Sequence, residues 1–333
     1  MCHQTKKSGD SRIARHIRGY QRRIRFMKFV MVVLMLCILV ALPFGLIVLV
    51  EGFGSRYGVL FGVLFAAGIV AIPAMLVVAR LTEKQEKKLK VYIGEHVIKD
   101  VVAEKIDIIE YEPDKWINTD FIKKCMILPN YDRTSGSDYI KGTYKGVPIV
   151  YCDLKLEMEY QETDDDGHST TRYRTVFHGH LINLELGQEI NGYLRIKERK
   201  NPRKGKGFFS DVLKGIADVM QIKTADNIIE VENVAFNNQF EIKTNNDEMA
   251  FYILTPQFME NIIKADQYAQ GYTNIEFAGK YVNIVMNNGR DSFEVTKTMR
   301  SAKALEKSRQ QMRDDLNRII SIVDEILEKD KLF

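Results

Sequence analysis

Two apolar runs near the N-terminus constrain this chain more than any other feature. Residues 29–50 (FVMVVLMLCILVALPFGLIVLV) and 58–78 (GVLFGVLFAAGIVAIPAMLVV) contain no charged side chain. As helices, at about 1.5 Å per residue, each is long enough to cross a hydrocarbon layer of about 30 Å. Only EGFGSRY, residues 51–57, separates them, so they are expected to form a tight helical hairpin. No ionisable residue interrupts either run, which argues against an ion or proton path and makes the hairpin an anchor. Gly58, Gly62 and Ala66 recur every four residues and offer a small-residue face for packing on the first run, with a dimer contact as the alternative.

Charge sets the expected orientation. Nine Lys or Arg against one acid precede residue 29, the loop carries only Arg56, and Lys84, Lys87, Lys88 and Lys90 follow the second run. This asymmetry puts both termini in the cytoplasm. The first run is too long for a signal-peptide core and no small-residue cleavage site follows it, so it reads as a span. With the excess positive charge held in the tail, the rest of the chain is mildly acidic, which argues against nucleic acid as a partner. Cys2, Cys37, Cys125 and Cys152 lack metal-site spacing and read as free thiols in a reducing compartment. The last residues carry no prenylation or retention signal.

Five segments follow: a basic tail (1–28), the membrane hairpin (29–79), a helical stalk (80–112), a cytosolic domain (113–297) and a C-terminal amphipathic helix (298–333). In the stalk Leu89, Ile93, Val97 and Val101 fall at i+4 steps, Gly94 weakens the helix, and Pro113 ends it near Tyr111. The domain then alternates at period two. A hairpin is expected to turn at Lys145-Gly146 and another at Asp166-Gly167. Further strands are read at 172–186 and 192–199, at 228–234 and 239–244, and at 250–254. Thr255-Pro256 opens a helix, as N-cap and first helical residue. Residues 274–277 and 281–286 read as a last hairpin turning at Gly279. In the closing helix Leu305, Met312, Leu316, Ile319, Val323 and Ile326 form a stripe that Ile320, Ile322 and Leu327 widen. That width favours packing within the chain over a two-stranded coiled coil, with self-association as the competing expectation. The expected class is α+β: a two-helix transmembrane hairpin followed by a mainly antiparallel sheet with flanking helices and a long last helix.

The stretch Phe251-Tyr-Ile-Leu-Thr-Pro-Gln-Phe-Met-Glu260 resembles DUF3137, a family of uncharacterised bacterial membrane proteins. Gly136-Ser-Asp-Tyr-Ile-Lys-Gly-Thr-Tyr-Lys-Gly146 is similar to the family's acidic-aromatic segment, and Thr175-Val-Phe-His-Gly179 to its Thr-x-Phe-x-Gly strand. Val231-Glu-Asn, Phe236 and Phe240 precede the YILTP stretch as they do there. The likeness covers roughly residues 115–297 and implies an inner-membrane setting with no established activity. The basic insertion after Arg199 and the second histidine, His180, depart from the family pattern.

Three constellations carry chemical interest. His178 and His180 share one side of a strand and, with His168 and the acidic triplet Asp164, Asp165 and Asp166, are weighed as a divalent-metal site. An ordinary hairpin with a solvated acidic tip is the preferred reading. Gly205-Lys-Gly207 lacks the first glycine, the strand and the Ser/Thr of a phosphate loop. Tyr252 and Phe258 are expected to fill a sheet–helix core rather than line a pocket. Residues 195–206 hold seven Lys or Arg against one acid, and an amphipathic stretch through Met220 follows. The lipid-contact candidates are Arg199, Lys200, Arg203, Lys204, Lys206, Phe208 and Phe209, facing anionic headgroups of the inner leaflet. No catalytic residue, cofactor or metal ligand is assigned. The expected function is a membrane-anchored, non-catalytic binding or assembly module whose partners are the lipid bilayer and a membrane or cytosolic protein. The alternative is a membrane-tethered metal-dependent or hydrolytic enzyme using the His178/His180 strand and the acidic loop.

Overall fold

The computed structural model describes residues 2–51, 58–163, 168–199, 227–268, 272–289 and 299–330. The chain divides into two compact units, Met1–His96 with Val295–Ser308, and Val97–Glu294 with Arg309–Phe333.

The first unit is built on α1 (Cys2–Glu51) and α2 (Gly58–Ile93). They pack antiparallel: Ala41 meets Gly68, Met31 meets Thr82, Lys28 meets Glu86 and Tyr20 meets Tyr92, climbing one helix while descending the other. Ala14, Ile17, Gln21 and Ile24 of α1 are buried at alternating three- and four-residue steps, and Ala41 further along is buried as well. Gly68, Ala71, Thr82, Leu89 and Ile93 form the matching face of α2. Both helices are long and apolar enough to cross a membrane, and only 11% of each apolar window is buried. Phe29, Val32, Leu36, Val63, Val70 and Leu76 point outward, an apolar belt suited to lipid rather than water.

The close approach falls elsewhere than the glycine spacing suggested. Ala66 is exposed and Gly62 half-buried, whereas a Cβ on Gly68 would lie 2.2 Å from that of Ala41. Small-residue periodicity alone does not distinguish the helix face that meets a partner from the face that meets lipid. The basic tail is also not a separate element, since α1 runs through it into the span and buries its apolar side. Arg18 donates to the Arg300 carbonyl at 3.0 and 2.6 Å, and the Arg300 Nε donates to Gln21 Oε1 at 3.1 Å, fastening residues 299–308 to α1.

After α2 comes a single π turn, Gly94–Ile98, beginning at the glycine that weakens the helix, then the short α3 (Lys99–Val102). The helical pattern expected to reach Tyr111 stops there. Residues Asp107–Glu112 are β1, drawn into the sheet by antiparallel pairing with β2 (Arg133–Tyr144).

Among the described residues the second unit holds a seven-stranded sheet in which every pairing is antiparallel. Its remaining strands are β3 (Val147–Thr163), β4 (Ser169–Glu198), β5 (Asn227–Ile229), β6 (Phe240–Thr244) and β7 (Tyr272–Asn287). The order is β1-β2-β3-β4-β6-β5, with β7 also on β4. Tyr144 pairs with Val147 across Lys145 (φ 50°) and Gly146 (φ 84°), the two left-handed residues of the expected two-residue turn. Asp166-Gly167 lies outside the described residues, between the paired Thr163 and Ser169.

Besides β1 and the strand read at 228–234, of which only Asn227–Ile229 is strand while Val234 begins a helix, three elements differ from expectation. The two strands read at 172–186 and 192–199 are one 30-residue strand, β4, and the hairpin read at Gly279 is one continuous strand, β7. β7 follows β4 from Gly179 to Lys197, and Gly279 (φ 57°) lies opposite Ile190 where the register slips. A positive φ permits reversal or bending, and here both halves find the same neighbour, so the strand bends. The third is the strand read at 250–254, which is a helix, α6 (Asp247–Ile253). Asn246 caps it by accepting from Met249 N at 3.1 Å, with Asp247 and Glu248 in its first turn. The neighbouring helices are α4 (Thr119–Lys124), α5 (Val234–Gln239), α7 (Pro256–Tyr268) and α8 (Ala302–Asp330). At the start of α7, Thr255 Oγ1 accepts from Phe258 N at 3.4 Å, as its cap position implies.

One sheet face packs Leu154, Leu156, Phe177, Leu181 and Val285 against Ile122 of α4. The other carries Ile140, Tyr151 and Ile182, which the strand pairing places on the same side as Tyr144. Tyr144 Oη donates to Asp324 of α8 at 2.8 Å, so α8 lies over that face. Its whole expected stripe is buried, as are Ile320, Ile322 and Leu327. Arg309 and Arg313 reach Asp100 and Glu104 beside α3 at 3.8 and 2.8 Å. The last helix therefore finds its cover within one chain.

Candidate functional site

The histidines of β4 are placed by strand register. Asp153 lies opposite His180, and Lys155 opposite His178. His180 Nδ1 and Asp153 Oδ1 are 2.5 Å apart, and Tyr151 Oη donates to the same oxygen at 2.8 Å and lies 2.9 Å from Nδ1. On the other edge Asn288, just past β7, brings Nδ2 to 2.6 Å from His180 Nε2. With the Asn288 amide as donor at Nε2, Nδ1 carries the proton and aims it at the carboxylate. The Tyr151 ring stacks on the imidazole at 5.7 Å.

Gly179 makes this possible, because a Cβ there would stand 1.9 Å from the Met286 carbonyl oxygen and push β7 away. His180 is 2% exposed and Asp153 2%, so the group is sealed. It ties three strands through polar contacts that desolvation makes costly to break. His178 shares the side of His180 but is half-buried, its carbonyl accepting from Gly289 N at 2.9 Å. His168 is exposed at the start of β4, roughly 30 Å along the strand from His178 at 3.3 Å per residue. The structure therefore does not bring His168 to the other two, and Asp164, Asp165 and Asp166 lie outside the described residues. Among the described residues no group of three or more His, Cys, Asp or Glu converges.

A second polar seam occupies the far end of β4. Arg195 Nε donates to Glu276 Oε1 at 2.9 Å, Asn283 donates to Glu276 Oε2 at 3.2 Å, and Asn183 to Asn283 at 2.9 Å. Arg195 also lies over the Tyr193 ring, 4.1 Å from its centre. Lys197 donates to the Met126 carbonyl at 2.7 Å. Burial, then the cations of Arg195 and Lys243, hold its ammonium below the usual lysine range. In sequence Arg195 and Lys197 open a basic run, and their partners come only from strand register and packing. Glu276 and Asn283, at even spacing from buried apolar residues of β7, were the available signal.

Of the lipid-contact candidates, Arg199 is exposed, its Nε donating to the carbonyls of Asn237 at 3.0 Å and Phe240 at 3.2 Å. Lys200, Arg203, Lys204, Lys206, Phe208 and Phe209 lie outside the described residues, as does Gly205-Lys-Gly207. Burial pushes the thiols of Cys125 and Cys152 up to about 12, which leaves neither a nucleophile nor a ready metal ligand at neutral pH. In the YILTP stretch Phe258 is fully buried against Phe277, as expected. Tyr252 departs from the expected core position. It is 41% exposed beside Phe251, because the segment is a helix with an outer face. A depression of about 460 Å³ at the bend of β4 and β7 is lined by Glu189, Asn191 and Gly279.

No curated protein matches the chain. Among solved structures, the crystal structure of the mycobacterial trehalose monomycolate transport factor A, TtfA, is similar at 9% identity and a TM-score of 0.32, covering 68% of this chain and 95% of that one. Residues 175–327, from within β4 to the last turns of α8, match the family described as a protein of unknown function, DUF3137.

Proposed function

We propose that the protein is a membrane-anchored, non-catalytic binding or assembly module that works at the cytoplasmic face of the inner membrane, with both termini on that side. The observation that carries this reading is the sealed His180 network. The strongest chemical candidate in the sequence is spent on joining strands, so the sheet domain offers other molecules its surface. The apolar belt of α1 and α2 supports the anchoring half of the reading.

The partner is a membrane or cytosolic protein. Photoreactive residues at Phe251, Tyr252 and Ile109, exposed positions of the sheet domain, in the full chain in native membranes are expected to yield a discrete crosslinked species. Absence of any crosslink to another protein from all three sites overturns the reading. So does stoichiometric divalent metal on the purified protein that is lost in a His178→Ala/His180→Ala variant. A compartment-sensitive reporter after Phe333 tests the orientation.

The basic stretch Arg199, Lys200, Arg203, Lys204 and Lys206, with Phe208 and Phe209, is assigned to anionic headgroups. Each nearby cation contributes about 1 kcal/mol there. A Phe208→Trp reporter in the full chain is expected to be quenched by spin-labelled lipid in anionic but not neutral nanodiscs. Charge reversal at Arg199, Lys200, Arg203 and Lys204 removes the effect.

A further inference from the structure

A groove of about 430 Å³ opens between α1 and α2 at the charged end of the hairpin. Its floor is apolar, with Met31 and Met35 from α1 and Met75 and Ala79 from α2. Ala79 is too small to fill the space that the tight Gly68–Ala41 contact denies further along. Val32 and Met35 are more than half exposed, so the floor runs without a step onto the lipid-facing belt. The rim holds Lys28, directly before the first apolar run, and Glu83 and Glu86, one to two turns beyond the second. Lys28 is 2.7 Å from Glu86, and Lys87 is 3.4 Å from Glu83, all four side chains being about half exposed or more.

We infer that this groove is a binding site for a phospholipid with a primary-ammonium headgroup. One acyl chain lies on the methionine floor, whose flexible thioethers adapt to an irregular alkyl chain. The lipid phosphate meets Lys28, and its ammonium donates hydrogen bonds to Glu83 and Glu86. The order of charge along the rim selects the class. A lipid with an anionic, uncharged-alcohol headgroup brings no cation to the two carboxylates, and a quaternary choline has no N–H to donate. The inference rests on the hairpin spanning a bilayer and not on the sheet domain binding a protein partner.

The test uses the full chain in nanodiscs of equimolar phosphatidylethanolamine, phosphatidylcholine and phosphatidylglycerol, released gently into a mass spectrometer. The wild type is expected to retain the ethanolamine lipid roughly tenfold over either other class, the difference that one charge-assisted hydrogen bond supplies. Glu83→Gln/Glu86→Gln, both on the exposed rim, is expected to erase that preference while lipid is still retained. Ala79→Phe fills the floor and is expected to lose retained lipid altogether, with far-ultraviolet dichroism reporting an intact hairpin. Retention of phosphatidylglycerol at or above the ethanolamine lipid overturns the inference. So does an unchanged preference in the double Gln variant, or lipid held equally by Ala79→Phe.

Discussion

The hairpin and the sheet domain solve opposite solvent problems. In the hairpin the outer surface of the apolar runs is apolar, at Phe29, Val32, Val63 and Val70, and the buried seam within those runs is small, at Ala41, Gly68 and Ala71. In the sheet domain Phe177, Leu154 and Ile182 are inside, and polar residues enter the interior in joined sets such as Tyr151–Asp153–His180–Asn288. Lipid removes the hydrophobic drive between α1 and α2, so close backbone approach has to hold them. Water restores that drive in the sheet, where burial favours polar groups that are hydrogen-bonded. One chain thus carries two packing rules, and substitutions should separate them.

The largest separation is expected from Phe177→Ala. The side chain is fully buried in the sheet core, and its loss should cost about 3–5 kcal/mol in the chemical unfolding of the sheet domain. Dichroism of the detergent-embedded hairpin should be unchanged. Next, His180→Ala removes the group that both Asp153 and Asn288 contact, and should cost about 3 kcal/mol by the same assay. A milder loss is expected for His180→Gln, which keeps one polar contact. Equal destabilisation by both would mean that shape rather than hydrogen bonding matters there.

Gly68→Leu probes the other rule. Its side chain has no room beside Ala41, so the spans should splay at a cost of about 1–3 kcal/mol. Loss of crosslinking between cysteines placed on α1 and α2 is the readout, with no change in sheet-domain unfolding. The smallest effect is expected from Arg313→Ala. Its Nε and Nη2 each bond Glu104 at 2.8 Å, yet the pair is partly solvated, so the cost should be about 0.5–1 kcal/mol and should shrink with salt.

Cys125 and Cys152 sharpen the contrast through pH. Burial raises both folded thiols to about 12, well above the ordinary value of about 8.5. The unfolded chain then releases its thiol protons first. Their contribution to stability should be complete below about pH 8.5 and fall as pH rises towards 12. Pulse alkylation at pH 9 should leave both unmodified in the folded protein and label both after denaturation. Labelling of either in the native state would show that the sheet opens locally.

Much of the architecture could be read from local pattern. Charge-free runs of span length, a two-residue turn at Lys145-Gly146, the Thr255-Pro256 helix start and the wide stripe of α8 are each dictated within a few residues or turns of chain. The candidate site was half legible. The parity of β4 put His178 and His180 on one side, but nothing local indicated that Asp153 would close on His180 or that His168 would stay distant. The bend at Gly279 and the helix at 247–253 escape local pattern for the same reason. A glycine or a short apolar run suits more than one backbone, and the neighbouring element selects among them.

What the sequence determined by itself is therefore the hairpin's composition, the α+β class and the apolar faces that had to be covered, because hydrophobic periodicity and capping are properties of contiguous residues. What only tertiary structure decided is which partner covers each face. Gly68 rather than Gly62 receives Ala41, β7 rather than a turn accompanies β4, and α8 rather than a second chain covers the sheet. Those choices depend on contacts between residues far apart in sequence, whose free energy exists only once the chain has brought them together.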